Sequence, residues 1–474
     1  MISAIVRKDL LTLKRQSLLG GFVVVLIALM VASLVVGIHQ QQVFAKEKAF
    51  ALEADHAVWM NQGDRNPHSA AHFSRYAFRP PAPLAMLDPG TSDYAGAAVW
   101  LEAHYQDPAV FRRAEDSGDL SRHTFLTPAY LLIAIAPLAV FLLLYGSIAG
   151  EREDGTLRQI LAAGADAKTF IYGKLIAGAG LTITVFAVLF VPLAIISMLL
   201  APASGNFDAV LRAGMLFGVY AMYLLACAAL AIAVSATLHT RQAAFLALTC
   251  IWALGIVLLP WLATDVATTA YPQPNPQLAS AKLSAASNTY YMDKARQEKI
   301  KQDVLERFDV SSVKDLPINY GAYALQVSEE ISEPEFDAFY ESLRANYRSQ
   351  ESIQRWFAIL SPAILATRLS AGMAGTDRFH QDAFTQSAEM HRRAMIKMLN
   401  EDYMVNGLDP TKPYTANAEL WSQFEDFDGA SPTLAQVMKR YLWDLGLLFI
   451  WLTLAVSVAT WQALRAVRGE VPTA

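Results

Sequence analysis

Apolar runs divide this chain into six long hydrophobic stretches separated by polar segments of very unequal length. The runs cover 19–38, 127–149, 175–200, 214–238, 243–262 and 443–464. A helix rises about 1.5 Å per residue and a bilayer core is about 30 Å thick, so each run is long enough to cross a membrane. Pro192, in the outer half of the third run, predicts a kink. Ahead of the first run, residues 1–18 set Ile2, Ile5, Val6, Leu10 and Leu13 against Arg7, Lys8, Lys14 and Arg15, which predicts a basic amphipathic helix lying in the interface. A basic head before an apolar run also fits a cleaved signal peptide. Because the run is longer than a usual signal core and HQQQ follows it without a small-residue cleavage site, the expectation is an uncleaved anchor.

Two polar segments are large, 39–126 and 263–441. In the first, QQQVFAKEKAFALEADHAVWMNQ has helical periodicity, while RPPAPLAMLDPG must be extended and turned, since each proline removes a donor and restricts its neighbour. In the second, Thr289 to Phe308, Glu333 to Phe357 and Asp377 to Tyr403 carry apolar residues at helical spacing, with breaks at Leu316-Pro317 and Ser361-Pro362. Thr376 or Asp377 would cap the last of these helices. Ala201 to Asp208 and His239 to Gln242 are long enough only for turns. The fold expected is an all-α membrane protein: six transmembrane helices with two largely helical extracytoplasmic insertions, after the first and fifth spans.

Sidedness follows from the basic residues of the short connections. Arg7, Lys8, Lys14 and Arg15, then Arg152, Arg158, Lys168 and Lys174, then Arg241, and finally Arg465 and Arg468 fall on one side if both termini are cytosolic, with 465–474 as a cytosolic tail. The turn at Ala201 to Asp208 has no basic residue and falls outside. Trp261, Tyr271, Tyr441 and Trp443 cluster at the outer boundary as interfacial anchors. Within the spans, Tyr220, Tyr223 and Trp252 face either a central path or neighbouring helices.

The segment 150–174, GEREDGTLRQILAAGADAKTFIYGK, must leave the bilayer and return within its own length. Glu151, Glu153 and Asp154 put negative charge ahead of a helix starting near Gly155 and Thr156, where the helix dipole favours it. Leu157, Ile160 and Leu161 share one face, Gly164 is placed to stop the helix, and Asp166 caps the next. A short amphipathic helix held along the membrane surface suits a groove on a soluble partner. A juxtamembrane loop whose charges only fix topology explains the same residues, and physics alone leaves both open.

Composition narrows the class. With 474 residues, 54% of them hydrophobic, the chain is too apolar for an ordinary soluble enzyme, and a net charge of −5 without a basic patch gives no case for nucleic-acid binding. Cys227 and Cys250 lie inside apolar runs as small hydrophobes, so neither a disulfide framework nor a CxxC metal site is available. The sequence has no GxxxxGK[ST] phosphate loop, HExxH or GxSxG. The spans carry no acidic or basic residue near the midplane; Asp265 and Asp444 fall at outer ends and Lys174 at the inner end, where side chains reach water. An ion-coupled carrier would hold such groups centrally, so the pattern favours work imposed from outside. His68 and His72, spaced i, i+4 with His56 upstream, could meet as a metal site, but no third ligand has a defined spacing and a solvated pair is the plainer reading. His380 beside Asp377 reads as capping and packing.

ERExGTL, a short helix and then GK at the mouth of the next span resemble the coupling-helix region of ABC-2 type permeases, the membrane subunits of ABC transporters. The matching positions are Glu151, Arg152, Glu153, Gly155, Thr156, Leu157, Gly173 and Lys174. HFSRYAFRPPAPLAMLDPG from His72, WLEAHYQ from Trp100 and LSPAILATRLSAGMAGTDRFHQDAF from Leu360 narrow the resemblance to the DUF3526 subfamily.

The resemblance implies a bacterial inner-membrane permease whose insert, with Ile160 and Leu161 on the apolar face, docks on a separate ABC ATPase subunit. That ATPase would hold ATP and Mg, and the present chain no cofactor. A second permease subunit, identical or related, completes a two-fold assembly within the lipid bilayer. Glu151, Arg152 and Glu153 would hold the insert against the ATPase by charge pairs, and the movement served would be export. Two other readings use the same features: ATP-driven motion relayed to a periplasmic protein without transport, and a structural anchor that needs no ATPase.

Overall fold

The computed structural model describes residues 1–14, 17–73, 75–112, 115, 126–200, 206–409, 412–429 and 431–469. Arg15, most of the Ala201 to Asp208 turn and the last five positions of the 465–474 tail lie outside the described residues. Among those described, six helices are long and apolar enough to cross a membrane. The chain is an all-α membrane protein with one small sheet.

Helix α1 (Ile2–Lys14) is followed by α2 (Ser17–Met60), a single helix of 44 residues. The first apolar run forms only its first half. No glycine or proline falls between Ile38 and Met60, so nothing stops the helix where the apolar pattern ends. At about 1.5 Å per residue it is on the order of 65 Å long, twice a bilayer core.

The first inserted segment holds α3 (Pro67–Ala70) and an antiparallel sheet of β1 (Tyr76–Phe78), β2 (Ala98–Glu102) and β3 (Tyr105–Gln106). Tyr76 pairs with Trp100, Phe78 with Ala98, and Leu101 with Gln106. The sheet is a departure from the largely helical segment expected. Three short strands carry too little alternation to be read locally, and what stabilises them is pairing between segments and burial of Val99 and Leu101.

The second crossing runs through α4 (Pro128–Tyr130), a π-helical turn at Leu131–Ile135 and α5 (Ala136–Leu144). It delivers α6 (Ala149–Glu153), α7 (Thr156–Ala162) and α8 (Ala167–Leu200), which contains Pro192. Next come α9 (Asn206–Thr237) and α10 (Arg241–Ile251), which continues through a π-helical segment at Trp252–Leu258 into α11 (Leu259–Ala270). Wider winding leaves carbonyls outside the regular ladder, and apolar surroundings offer no water for them. Neighbouring side chains supply donors instead: Tyr223 Oη to Ile133 O at 2.7 Å, Trp252 Nε1 to Ala134 O at 2.7 Å, and Ser361 Oγ to Gly255 O at 2.6 Å. Tyr220, Tyr223 and Trp252 are therefore packing residues.

The second inserted segment is α12 (Pro276–Ser287), α13 (Thr289–Met292), α14 (Lys294–Arg307), α15 (Tyr320–Ala358), α16 (Pro362–Ala374), α17 (Arg378–Asn406) and α18 (Ala418–Trp421). Helix α15 begins at Tyr320 rather than at Glu333, because Asn319 caps it by accepting from Ala322 N at 3.0 Å. Asp377 caps α17, accepting from His380 N at 3.1 Å. The chain ends in α19 (Leu434–Arg468).

Helix α9 is the pillar of the membrane bundle, packed along α5, α8, α16 and α19. Trp59, at the end of α2, shares a core with Val99, Leu101, Phe384, Leu399 and Trp421, and its Nε1 donates to Trp421 O at 2.9 Å. The two inserted segments thus form one folded unit, with α2 driven into it.

Lys174 and Asp444, expected to reach water, are closed from it at 3% and 0% exposure. Asp444 lies 3.0 Å from Arg368 Nε of α16, and Lys174 lies between two carboxylates. Partners arriving from other segments make burial tolerable, where a lone charge would be excluded. Tyr441, expected as an interfacial anchor, is also buried, donating its hydroxyl proton to Asp377. Trp261, Tyr271 and Trp443 are exposed.

Candidate functional site

The ERExGTL insert is bracketed by Gly155 at φ +72° and Gly164 at φ +89°. Both conformations are left-handed, where a side chain is strained, and they set α7 as one short helix between two sharp corners. Asp166 then accepts from Thr169 N at 2.6 Å to start α8.

Leu157 is fully buried in the bundle core, and Ile160 and Leu161 pack half-buried against it. The apolar face of α7 is thus engaged in part by this chain's own core: Leu157 wholly, Ile160 and Leu161 with some of their surface still exposed. Outward-facing positions are Arg158, Gln159 and Ala162, together with Ala163 and Gly164 at the C-terminal corner.

Behind α7 lies a buried charge cluster. The Glu151 carboxylate, 7% exposed, accepts from Lys174 Nζ at 2.8 Å, from Lys8 Nζ and from the Thr156 hydroxyl. Lys174 Nζ donates a further 2.8 Å bond to Asp9 Oδ1. Two lysines and two carboxylates balance, so α1, α6 and α8 meet at a site with no net charge. Close approach of α1 to α8 depends on Gly173, where a Cβ would fall 2.7 Å from Ile5 Cγ2.

A second clasp joins the insert to the start of α10. Arg241 spans the Asp154 carboxylate with both terminal nitrogens, Nη1 at 2.9 Å, and its backbone N–H donates to Glu153 Oε2 at 3.0 Å. Such a two-pronged pair fixes direction as well as distance. Arg152 Nη1 donates to Leu238 O at 3.2 Å. On α9, the buried Ser235 hydroxyl accepts from the backbone N–H of both Ile148 and Ala149 at 3.0 Å, satisfying the amides where α6 begins.

All three charges assigned to a partner, Glu151, Arg152 and Glu153, thus bond within the chain, and Glu151 is buried. Glu151 is thereby committed to the chain's own helices, while Arg152 and Glu153 bond internally and keep part of their surface exposed. Sequence reasoning missed Lys8, Asp9, Ser235 and Arg241 as members of this site. The basic N-terminal helix and the basic link at Arg241 were visible as charge, but their partners were not.

His68 and His72 do come together, on the inserted unit, and His104 joins them. His56 does not; its ring lies 3.3 Å from Asp426.

Residues 104–273 match the family described as ABC-2 family transporter protein, and residues 281–429 match DUF3526, a domain of unknown function. No curated protein matches the chain. The first match covers the second to fifth crossings with the insert, and the second covers most of the later inserted segment, in agreement with the resemblance read from the motifs.

Proposed function

We propose that this chain, carrying an ABC-2 family transporter domain joined to a DUF3526 domain, receives motion from a separate ABC ATPase on the outer face of α7 and passes it to the bundle. ATP and Mg are held by that ATPase. The insert and both termini face the cytosol, the inserted unit lies outside the bacterial inner membrane, and a second permease subunit completes the assembly. The observation that carries this reading is the double clasp of α7. Helix α6, just ahead of it and bonded to it through Thr156, is tied to α1 and α8 through Glu151 and Lys174, and the corner at Asp154 to α10 through Arg241, while Gln159 and Ala162 remain exposed. A push on α7 cannot be absorbed locally, because its apolar face and both flanking charge groups are already engaged.

Ala162→Trp tests the contact. The exposed position tolerates the larger residue in the isolated chain, so the melting temperature stays, while co-purification with the ATPase from native membranes drops. Unchanged ATPase recovery in Ala162→Trp overturns the docking assignment.

Movement of a substrate, most simply export, is the first use of such a subunit. One observation favours a second: α2 runs unbroken from the bundle into the inserted unit, where Trp59 anchors it. A rigid rod of that kind suits relay of motion to a periplasmic protein. ATP-dependent accumulation of substrate in sealed vesicles separates transport from relay.

A further inference from the structure

The inserted unit brings three histidines, from α3 and its end and from the β2–β3 loop, into one cluster whose hydrogen bonds prepare it for a metal. His68 lies within the single turn of α3, His72 just past its end, and His104 sits in the two-residue loop between β2 and β3. Their candidate ligand atoms all lie within 4.8 Å of one another.

Second-layer bonds decide which ring nitrogens are free. His104 Nδ1 lies 2.8 Å from Glu329 Oε1, and a carboxylate can only accept, so Nδ1 carries the proton. His68 Nδ1 lies 3.1 Å from Asn400 Oδ1. The orientation of that amide is fixed in turn: Asn400 Nδ2 donates to Gln326 Oε1 at 3.1 Å, and Gln326 Nε2 donates to the Glu330 carboxylate at 3.1 Å. A chain of donors anchored on a carboxylate therefore places the His68 proton on Nδ1 as well. Both Nε2 atoms are left as bare lone pairs, and they face each other at 3.0 Å.

Two facing lone pairs at that distance repel unless a cation lies between them. A tetrahedral zinc with nitrogen ligands at about 2.05 Å has ligand–ligand edges of about 3.3 Å, close to the separation found. His72 is the exposed member, its ring centroid 5.3 Å from that of His68 and 5.6 Å from that of His104, and it is the remaining imidazole within reach of a shared ion.

The backbone is also committed to this arrangement. His104 has φ +66°, uncommon for a residue with a side chain, and the Glu329 carboxylate that orients its ring also accepts its backbone N–H at 2.6 Å. Glu329 is itself held by the buried Arg392 at 3.2 Å.

We propose that His68, His72 and His104 bind a divalent transition-metal ion, zinc by the donor set, through three imidazole nitrogens with a fourth position open to water. Glu329 and Asn400 orient the ligands from α15 and α17. All three ligands come from the first inserted segment, and the residues that orient them come from the second.

The test uses the full chain in detergent, without a polyhistidine tag and stripped with chelator. Titration calorimetry with Zn²⁺ gives one equivalent per chain, and Co²⁺ gives the intense visible absorption of a tetrahedral site. His68→Gln and His104→Gln abolish stoichiometric binding, and Glu329→Gln weakens it about 10–100-fold, the usual effect of removing a ligand's orienting partner. Wild-type affinity no greater than that of the His68→Gln/His104→Gln double variant overturns the site. Should the half-buried positions fail to fold, His72→Ala carries the test, because its ring is exposed. Zinc affinity unchanged in His72→Ala overturns the three-ligand arrangement.

Discussion

The Lys174 ammonium lies 2.8 Å from the Glu151 carboxylate and 2.8 Å from that of Asp9, joining the insert to the N-terminal helix through one buried charge. Removing it separates the architectural role of these charges from any role at a partner surface. Lys174→Met leaves Asp9 without its cation but Glu151 still bonded to Lys8 and Thr156, so the loss falls near about 3 kcal/mol, the low end for breaking a buried pair. Thermal melting in detergent measures it. The Glu151→Leu/Lys174→Met double variant is expected to recover part of the loss; a double variant as unstable as the sum of the singles would show that the two groups do not act as a pair.

Ser235 supports two amides with one hydroxyl. Ser235→Ala leaves the Ile148 and Ala149 N–H groups buried without an acceptor, at about 1–3 kcal/mol for each unsatisfied group. Hydrogen exchange at those two amides at the start of α6 should accelerate while the amides of α9 keep their protection. Uniform acceleration along α9 would mean that the substitution loosens the helix itself.

The contact of α1 with α8 is steric at Gly173. Gly173→Val inserts methyl groups into the space of Ile5 and is expected to cost about 1–3 kcal/mol, as overpacking does. Ile5→Ala in the same chain reopens the space, so the double variant melts above Gly173→Val alone. Failure of that rescue would place the strain elsewhere.

Asp107, in the inserted unit, is pushed up to about 7 by burial and by the neighbouring Glu102 carboxylate. Its folded value lies above its unfolded value of 3.8, so the folded chain binds the proton more tightly and this group favours folding as pH falls from about 7 toward 4. Above pH 7 the buried charge opposes folding. Asp107→Asn should therefore melt higher than wild type at pH 8, and the advantage should shrink as pH falls toward 5. Equal melting temperatures at both pH values would contradict a raised carboxyl at this position. Chelator in all samples keeps metal at the nearby histidines out of the comparison.

Much of the site was legible one residue at a time. Gly164 as a helix stop, Asp166 and Asp377 as caps, and the apolar triplet of Leu157, Ile160 and Leu161 all follow from local rules, and each holds in the structure. What the triplet packs against was not local. An amphipathic face states only that something covers it, and here the chain's own bundle covers Leu157 wholly and Ile160 and Leu161 in part.

The amino-acid sequence by itself determined the six crossings, the short helix between the second and third, and the helical character of the second inserted segment, because hydrophobic run length, periodicity and capping act within a few residues. Tertiary structure alone decided where the charges went. Lys8 and Glu151 meet across 143 positions, and His68 finds the amide that sets its tautomer 332 positions away. A charge or an imidazole in a sequence carries no mark of its partner. Only the packing that excludes water selects which opposite charge, or which third histidine, must come to it.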